Sequence, residues 1–361
     1  MPATSCVITG SPDLSTDGLL AYCRPGFEPE LAAELSERSA LAGFPGYAKA
    51  ERNTGFVQFL GIEDGAALAS ALPWSTLIFA RQKLRLLADL PDLDPKDRVG
   101  PIMEALGGRG RHGDVWVEHT DSDEGRQLSG LARALGNALR PALRKRGLVT
   151  EKEDPRLPRL HVLMLAGNHA LLASADPKDA SPWPLGVPRL RAHADAPSRS
   201  SLKLEEALMC LLTDKERDAF LQPGMNAADL GAAPGGWSWV LARRHIRVAA
   251  IDNGPMADSA MDTGIIEHIR ADGFRWQPPK PLDWMVCDMV ESPAKVADRM
   301  GTWFREGWCK RSIFNLKLPM KKRWDETRDC LQHFVDKAGR PLTIRAKQLY
   351  HDREEITVYA G

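Results

Sequence analysis

The chain has 361 residues, with 48 Lys plus Arg balanced by 48 Asp plus Glu. Bulk charge therefore does not announce a nucleic-acid partner, and any such surface has to be a local patch. At 43% hydrophobic and 27% charged residues the composition is that of a globular chain, and the length predicts two or three domains. No stretch is apolar for long enough to span a bilayer, and no basic segment followed by an apolar core opens the sequence. Cys6, Cys23, Cys210, Cys287, Cys309 and Cys330 lie scattered with no CxxC or metal-ligand spacing. Together these features predict a reduced, cytoplasmic protein with neither membrane nor metal partner.

In chain order, "LLAYCR" (19–24) is strand-like, "PELAAELSERSA" (29–40) has helical spacing, and "YAKAER" and "GFVQFLG" flank Asn53 and Thr54 as a hairpin. A short helix near 66–72 and a strand over 76–87 complete a βαββαβ order, which predicts a ferredoxin-like module over residues 1–90. A helix near 97–106, the strand "DVWVEH", a long helix and two further strands predict a second α+β module over 91–175. The long helix, "SGLARALGNALRPALRKRG" (129–147), repeats Leu131, Leu135, Leu139 and Leu143 on one side. Arg133, Arg140 and Arg144 lie on another, with Lys145 and Arg146 at the end. That basic face is either an RNA-phosphate contact or a solvated surface complementing the helix C-terminus, and Pro141 is expected to kink it. Residues 176–199, with Pro177, Pro182, Pro184, Pro188 and Pro197, read as an ordered linker.

From residue 200 to 361 the pattern changes to alternating strands and helices. Strand-like runs fall at 225–230, 247–252, 282–287 and 312–318, which predicts an α/β, doubly wound, mostly parallel sheet whose ligands bind at the strand carboxyl ends. The stretch "DLGAAPGGWSWV" (229–240) sits at the first of those ends. Gly231, Gly235 and Gly236 permit a tight turn and a close approach of backbone to a ligand at a helix N-terminus. The G-x-G-x-x-G spacing of a pyrophosphate cradle is missing, which favours a ligand without phosphates there. Asp252, about twenty residues on, ends the second strand where an acidic group commonly receives ribose hydroxyls. Asp272 follows the third strand, where it either accepts from an adenine amino group or is a surface carboxylate.

These residues resemble the S-adenosylmethionine site of class I methyltransferases, and "DLGAAPGGW" resembles in particular the FtsJ-like family of RNA ribose 2'-O-methyltransferases. The resemblance implies a Rossmann-like fold for this half. It also implies cofactor contacts at Asp229, Gly231, Ala233, Pro234, Gly235, Gly236, Trp237, Asp252, Asp272 and Asp288. Ser200 is either a helix cap or a contact to the methionine end of the cofactor.

The same family carries a Lys-Asp-Lys-Glu tetrad. Here Lys203 in "SRSSLKLEEAL", Asp288 in "DWMVCDMVES" and Lys317 in "SIFNLKLPM" match its first three members, and "YHDREEITVYA" supplies the last as Glu355, with Glu354 open. Each has a bland alternative: a solvated helix lysine, a turn aspartate, a strand-edge glutamate. A lysine inside an apolar strand is the hardest to dismiss, because burial of an unpaired charge is costly. Lys317 is expected to be the base, its pKa lowered by desolvation and by Lys203. Asp288 would orient the amine, and Glu355 would hold the substrate ribose or the lysines. Cys287 lacks the Pro-Cys setting of pyrimidine C5 methyltransferases and reads as a buried apolar residue.

The order of a ferredoxin-like module, a small α+β module and a methyltransferase domain resembles enzymes with a THUMP domain. The whole chain resembles the ribosomal RNA large subunit methyltransferase M family, which implies a cytidine ribose of 23S ribosomal RNA as acceptor, S-adenosylmethionine as cofactor, and a THUMP-type RNA-binding region, with a monomer favoured. One departure is that Asp288 is followed by Met289, Val290 and Glu291 rather than the Ala-Pro of simpler FtsJ-like enzymes. The alternatives are a methyltransferase for another RNA hydroxyl or a small molecule, and an inactive RNA-binding protein.

Overall fold

The computed structural model describes residues 17–361, so Cys6 lies outside the described residues. The N-terminal half runs β1 (Gly18–Tyr22), α1 (Glu28–Leu41), β2 (Tyr47–Ala50), β3 (Phe56–Leu60), α2 (Gly65–Ala71) and β4 (Gln82–Leu90). It continues with α3 (Val99–Ala105), β5 (Asp114–His119), α4 (Asp123–Gln127), α5 (Ser129–Lys145), β6 (Arg159–Ala166) and β7 (His169–Ala175). Strand alternation explains the layering: Leu19 and Ala21 pack with Leu31 and Leu35 of α1, while Leu20 and Tyr22 face the opposite side of the sheet. The Asp64 carboxylate caps α2 by accepting from the Ala66 and Ala67 backbone N–H groups at 2.9 Å each.

Two expectations change here. The strand expected over 76–87 begins only at Gln82, because the backbone before it is used elsewhere. Ile78 and Phe79 N–H groups donate to the Glu34 carboxylate at 2.7 and 2.9 Å. The carbonyls of Trp74, Leu77 and Ala80 accept from the Lys347 ammonium. The βαββαβ unit and the following α+β unit also share one seven-stranded sheet, ordered β2-β3-β1-β4-β7-β6-β5 and joined through the antiparallel β4–β7 pair.

Helix α5 buries Leu135, Leu139 and Leu143 and runs through Pro141, which is exposed. Its basic face is partly spoken for. Arg140 pairs with Asp114 and donates to the Val115 carbonyl, and Arg144 donates to that of Thr150 at 3.3 Å, so Arg133, Lys145 and Arg146 are the members left facing solvent. The segment after β7 is pinned to the sheet. Ser181 and Gln82 exchange hydrogen bonds of 2.9 and 3.1 Å, and the buried Glu118 accepts from Leu185 N–H at 2.6 Å.

The C-terminal half comprises α6 (Ser201–Leu211), α7 (Asp214–Phe220), β8 (Asn226–Leu230), α8 (Gly236–Ala242), β9 (Arg247–Ile251), α9 (Asp258–Met261) and β10 (Ile266–Ile269). It ends with β11 (Leu282–Cys287), α10 (Pro293–Arg305), β12 (Cys309–Lys317), α11 (Arg323–Ala338), β13 (Ile344–Lys347) and β14 (Glu355–Ala360). Its sheet is ordered β10-β9-β8-β11-β12-β14-β13. The pairs from β10 to β12 are parallel, and the β12–β14 and β14–β13 pairs are antiparallel. Both faces of β11 are covered, Met285 and Cys287 on one side and Trp284 and Val286 on the other, which is why the strand reads as a continuous apolar run.

The halves are joined by a common core. Phe79 meets the edge of Trp324 at 6.3 Å between ring centroids, and the Trp324 indole N–H donates to Glu37 of α1 at 2.7 Å. Among the described residues, no helix is long and apolar enough to cross a membrane.

Candidate active site

The glycine-rich turn closes the carboxyl end of β8. Gly231 has φ +77° and Gly235 φ +111°, conformations that L side chains rarely adopt. Gly236 is required for a different reason. A Cβ there would lie 2.4 Å from Ser200 Oγ, 2.5 Å from Ser198 Oγ and 3.1 Å from Ser201 N, so this glycine admits the start of α6. The buried Trp237 reinforces that contact by donating from its indole to the Ser200 carbonyl at 3.0 Å. Ser200 occupies the N-cap position of α6, but its hydroxyl makes no cap and instead bonds Ser198 Oγ at 2.6 Å.

The three strand-end carboxylates have different surroundings. Asp229 is 1% exposed and accepts from Ser238 Oγ at 2.7 Å, so it braces α8 from beneath. Burial pushes its carboxyl up to about 7 despite the Ser238 hydrogen bonds. Asp252 is half-buried at the lip of the turn, where it accepts from the Ala233 N–H at 3.0 Å and from the Gly254 N–H at 2.7 Å. Two backbone donors orient this carboxylate and leave it lone pairs for further hydroxyl donors. Asp272 is exposed and accepts from Phe274 N–H at 2.8 Å within its own turn, beside Arg275. Pro234 follows a cis peptide bond, and its carbonyl accepts from the Ala257 N–H at 2.9 Å.

Beyond the turn, the sheet order brings three strand ends side by side. Asp288 follows β11, Lys317 ends β12, and Glu355 begins β14 directly opposite Lys317 in the antiparallel register. Lys203, from the first turn of α6, reaches over them. The Lys317 ammonium donates to Asp288 Oδ1 at 2.7 Å and also pairs with Glu355. The Lys203 ammonium donates to Asp288 Oδ2 at 3.2 Å and pairs with the other Glu355 oxygen. Glu354, the open alternative, is exposed and pairs with Arg323.

The electrostatics differ from expectation in one respect. Burial pulls the Lys317 amine down, but the adjoining Asp288 and Glu355 carboxylates outweigh it and hold the amine above its ordinary value. The expected lowering by Lys203 does not prevail, because each lysine is shared between two carboxylates. Cys287, as expected for a core residue, is fully buried, and desolvation pushes its thiol up to about 12.

Lys203, Lys317 and Glu355 line a cavity of about 860 Å³ whose opposite wall comes from the N-terminal half, including Arg24, Arg81 and Arg126. Sequence reasoning missed that wall, since nothing local marks Arg24 or Arg81 as neighbours of residues some three hundred positions away. It also missed Asn315 and Thr357, the polar interruptions in the apolar runs "SIFNLKL" and "ITVYA", which were the available signal.

A parallel sheet with a glycine turn after its first strand and two lysines on two carboxylates at its carboxyl ends defines a methyltransferase of the FtsJ-like class, and residues 196–338 match the family model described as FtsJ-like methyltransferase. Residues 16–84 match the RlmM ferredoxin-like domain, and residues 97–175 match the N-terminal model of ribosomal RNA large subunit methyltransferase M. The chain is 65% identical to the ribosomal RNA large subunit methyltransferase M of Xanthomonas axonopodis pv. citri (strain 306), over 95% of this chain and 99% of that one. It is 64% identical to the protein of the same description from Stenotrophomonas maltophilia (strain R551-3), over 95% and 97%. The chain belongs to the ribosomal RNA large subunit methyltransferase M family. Among solved structures, TrmN from Thermus thermophilus aligns over 94% of this chain and 98% of its own at 20% identity, with a TM-score of 0.34.

Proposed function

We propose that this chain methylates the 2'-oxygen of a cytidine ribose in 23S ribosomal RNA, using S-adenosylmethionine, with Lys317 as the general base. The observation that carries the reading is the convergence of Lys203, Asp288, Lys317 and Glu355 from four separate elements into one ion-paired cluster, of which Lys203, Lys317 and Glu355 line a cavity. When bound, S-adenosylmethionine supplies an electrophilic methyl group on a sulfonium. Ser200, Gly231, Ala233, Pro234 and Gly235 form the surface that would receive its methionine part. Asp252, oriented by two backbone donors, suits the ribose hydroxyls, and Asp272 suits the adenine amino group. Asp229, Gly236 and Trp237 act behind that surface by holding α6 and α8.

A ribose hydroxyl is a weak acid, and the displacement needs its oxygen aligned and partly deprotonated. The Lys317 amine takes that proton in its neutral form. Asp288 and Glu355 set its direction and hold it as ammonium otherwise, so one ammonium proton must first pass to solvent, which the partly exposed Lys317 side chain reaches. Substrate entry favours this by drawing Glu355 toward ribose hydroxyls and lowering the negative charge facing the amine. Lys203 pairs with both carboxylates. Arg24 and Arg126 on the facing wall suit the phosphates flanking the target, as do Arg133, Lys145 and Arg146 farther out. In this reading residues 1–90 and 91–175 serve RNA binding, 176–199 link them to the catalytic residues 200–361, and the protein works as a monomer in the cytoplasm.

The test is mass-spectrometric mapping of ribose methylation in 23S ribosomal RNA from cells with and without the gene. One cytidine should lose its 2'-O-methyl group without the gene, and regain it with the wild-type chain but not with Lys317→Ala. An unchanged map would defeat the proposed acceptor.

A further inference from the structure

Asp288 is held by more than two lysines. The Asn315 Nδ2 group donates to Asp288 Oδ1 at 3.0 Å, and Asn315 Oδ1 lies 2.7 Å from Thr357 Oγ1. Thr357 Oγ1 in turn is 3.1 and 3.0 Å from the two carboxyl oxygens of Asp352, and Asp352 Oδ2 accepts from Leu349 N–H at 2.9 Å. Asn315, Thr357 and Asp352 are each 0% exposed, so solvent does not substitute for a missing partner. The chain reaches the other half of the molecule, because Arg24 donates to the Asp352 carbonyl at 2.7 Å and to that of Tyr350 at 3.2 Å.

The direction of this chain is fixed by counting protons. Asp288, paired with two lysines, accepts only, so the Asn315 group facing it is the NH₂ and the group facing Thr357 is the oxygen. The single hydroxyl proton of Thr357 then goes to Asn315 Oδ1. Thr357 oxygen is left to accept, and Asp352 must be the donor. Burial, reinforced by the Glu355 and Glu206 charges, pushes the Asp352 carboxyl well above the ordinary carboxylate range, which keeps that proton in place.

We propose that Asp352, Thr357 and Asn315 are positioning residues for the methyl transfer: a one-way donor chain that fixes the Asp288 carboxylate against Lys317 and is anchored to the N-terminal half by Arg24. With Oδ1 shared by Asn315 and Lys317 and Oδ2 taken by Lys203, the carboxylate cannot rotate without breaking one of these bonds. The Lys317 amine therefore keeps one orientation. The inference rests on Asp288 and Lys317 being the reacting pair's scaffold and base, as read above.

The experiment uses the full-length enzyme, S-adenosylmethionine and 23S ribosomal RNA from cells lacking the gene. Thr357→Val replaces the hydroxyl by a methyl of similar size and should lower kcat about tenfold or more. The KM for RNA and the dissociation constant for S-adenosylmethionine should stay unchanged, and Thr357→Ser should restore kcat. Asp352→Asn keeps a donor toward Thr357 and an acceptor toward Leu349 N–H, so it should retain most of the activity that Asp352→Ala loses. Wild-type kcat in Thr357→Val, or no rescue in Thr357→Ser, would overturn the chain. If Thr357→Val does not fold, a folded Asp352→Asn with the kcat of Asp352→Ala overturns it alone. Failure of the underlying reading is a different result, namely full turnover in Lys317→Ala.

Discussion

Lys317 and Glu355 are direct partners in the antiparallel β12–β14 register, one the last residue of its strand and the other the first of its own. Their ion pair is therefore set by the sheet and needs no loop to fold correctly. It also holds the Lys317 amine, together with Asp288, above its ordinary value. On the proposed role of Lys317 as a base that acts in its neutral form, the rate should rise with pH along an alkaline limb. Glu355→Gln removes one of the two carboxylates, lowers the lysine's pKa, and should move that limb toward acid by about one pH unit. Single-turnover rates against pH decide it, and a limb that stays put or moves toward base contradicts the role.

Gly231 tests the coupling between the glycine turn and Asp288. A Cβ at Gly231 would meet Met289 Cγ at 2.7 Å and Met289 Cα at 3.2 Å, in a backbone region with φ +77°. Gly231→Ala should push the residue next to Asp288 and strain the turn, at a cost of about 1–3 kcal/mol. Both S-adenosylmethionine affinity, by calorimetry, and kcat should fall.

Asp229 should make stability pH-dependent. Its carboxyl titrates at about 7 in the folded chain against 3.8 as the ordinary value. Between those pH values the folded state holds a proton that the unfolded state has released. Its contribution is therefore fully present below the unfolded pKa and is lost as pH rises toward 7, by up to roughly 4 kcal/mol. Asp229→Asn keeps a partner for Ser238 and should flatten this part of the profile of unfolding midpoint against pH. An unchanged slope would mean that other groups produce it.

Lys347 tests how firmly the halves are joined. Its buried ammonium donates to the carbonyls of Trp74 and Leu77 at 2.7 Å and of Ala80 at 3.2 Å. Lys347→Met fills much of the space but removes the donor to the Leu77 and Ala80 carbonyls, while that of Trp74 keeps the Leu77 N–H, and should destabilise the chain by about 2–4 kcal/mol. Urea unfolding measures the loss, and proteolysis should begin to cut near residues 73–81.

The sequence alone determined the C-terminal half to a considerable degree. Its strands are apolar on both faces and its turn needs glycine at set positions, and both requirements are local and show as runs and spacings. Lys317 was legible as a lysine inside an apolar strand, where burial disfavours charge, whereas Lys203 and Asp288 were picked out through the resemblance to the Lys-Asp-Lys-Glu tetrad. Whether Glu354 or Glu355 meets Lys317 was not legible, because a one-residue shift in a strand moves a side chain to the other face and only pairing with β12 fixes the register. The strand expected to start at residue 76 was displaced by Glu34 and Lys347, partners distant in sequence that took its backbone groups. The basic face of α5 lost Arg140 to Asp114 in the same way. What only the tertiary structure decided is that the N-terminal half forms one sheet, walls the cavity lined by Lys203, Lys317 and Glu355, and reaches Asp352 through Arg24. Those contacts join residues hundreds of positions apart, and no local periodicity or spacing encodes them.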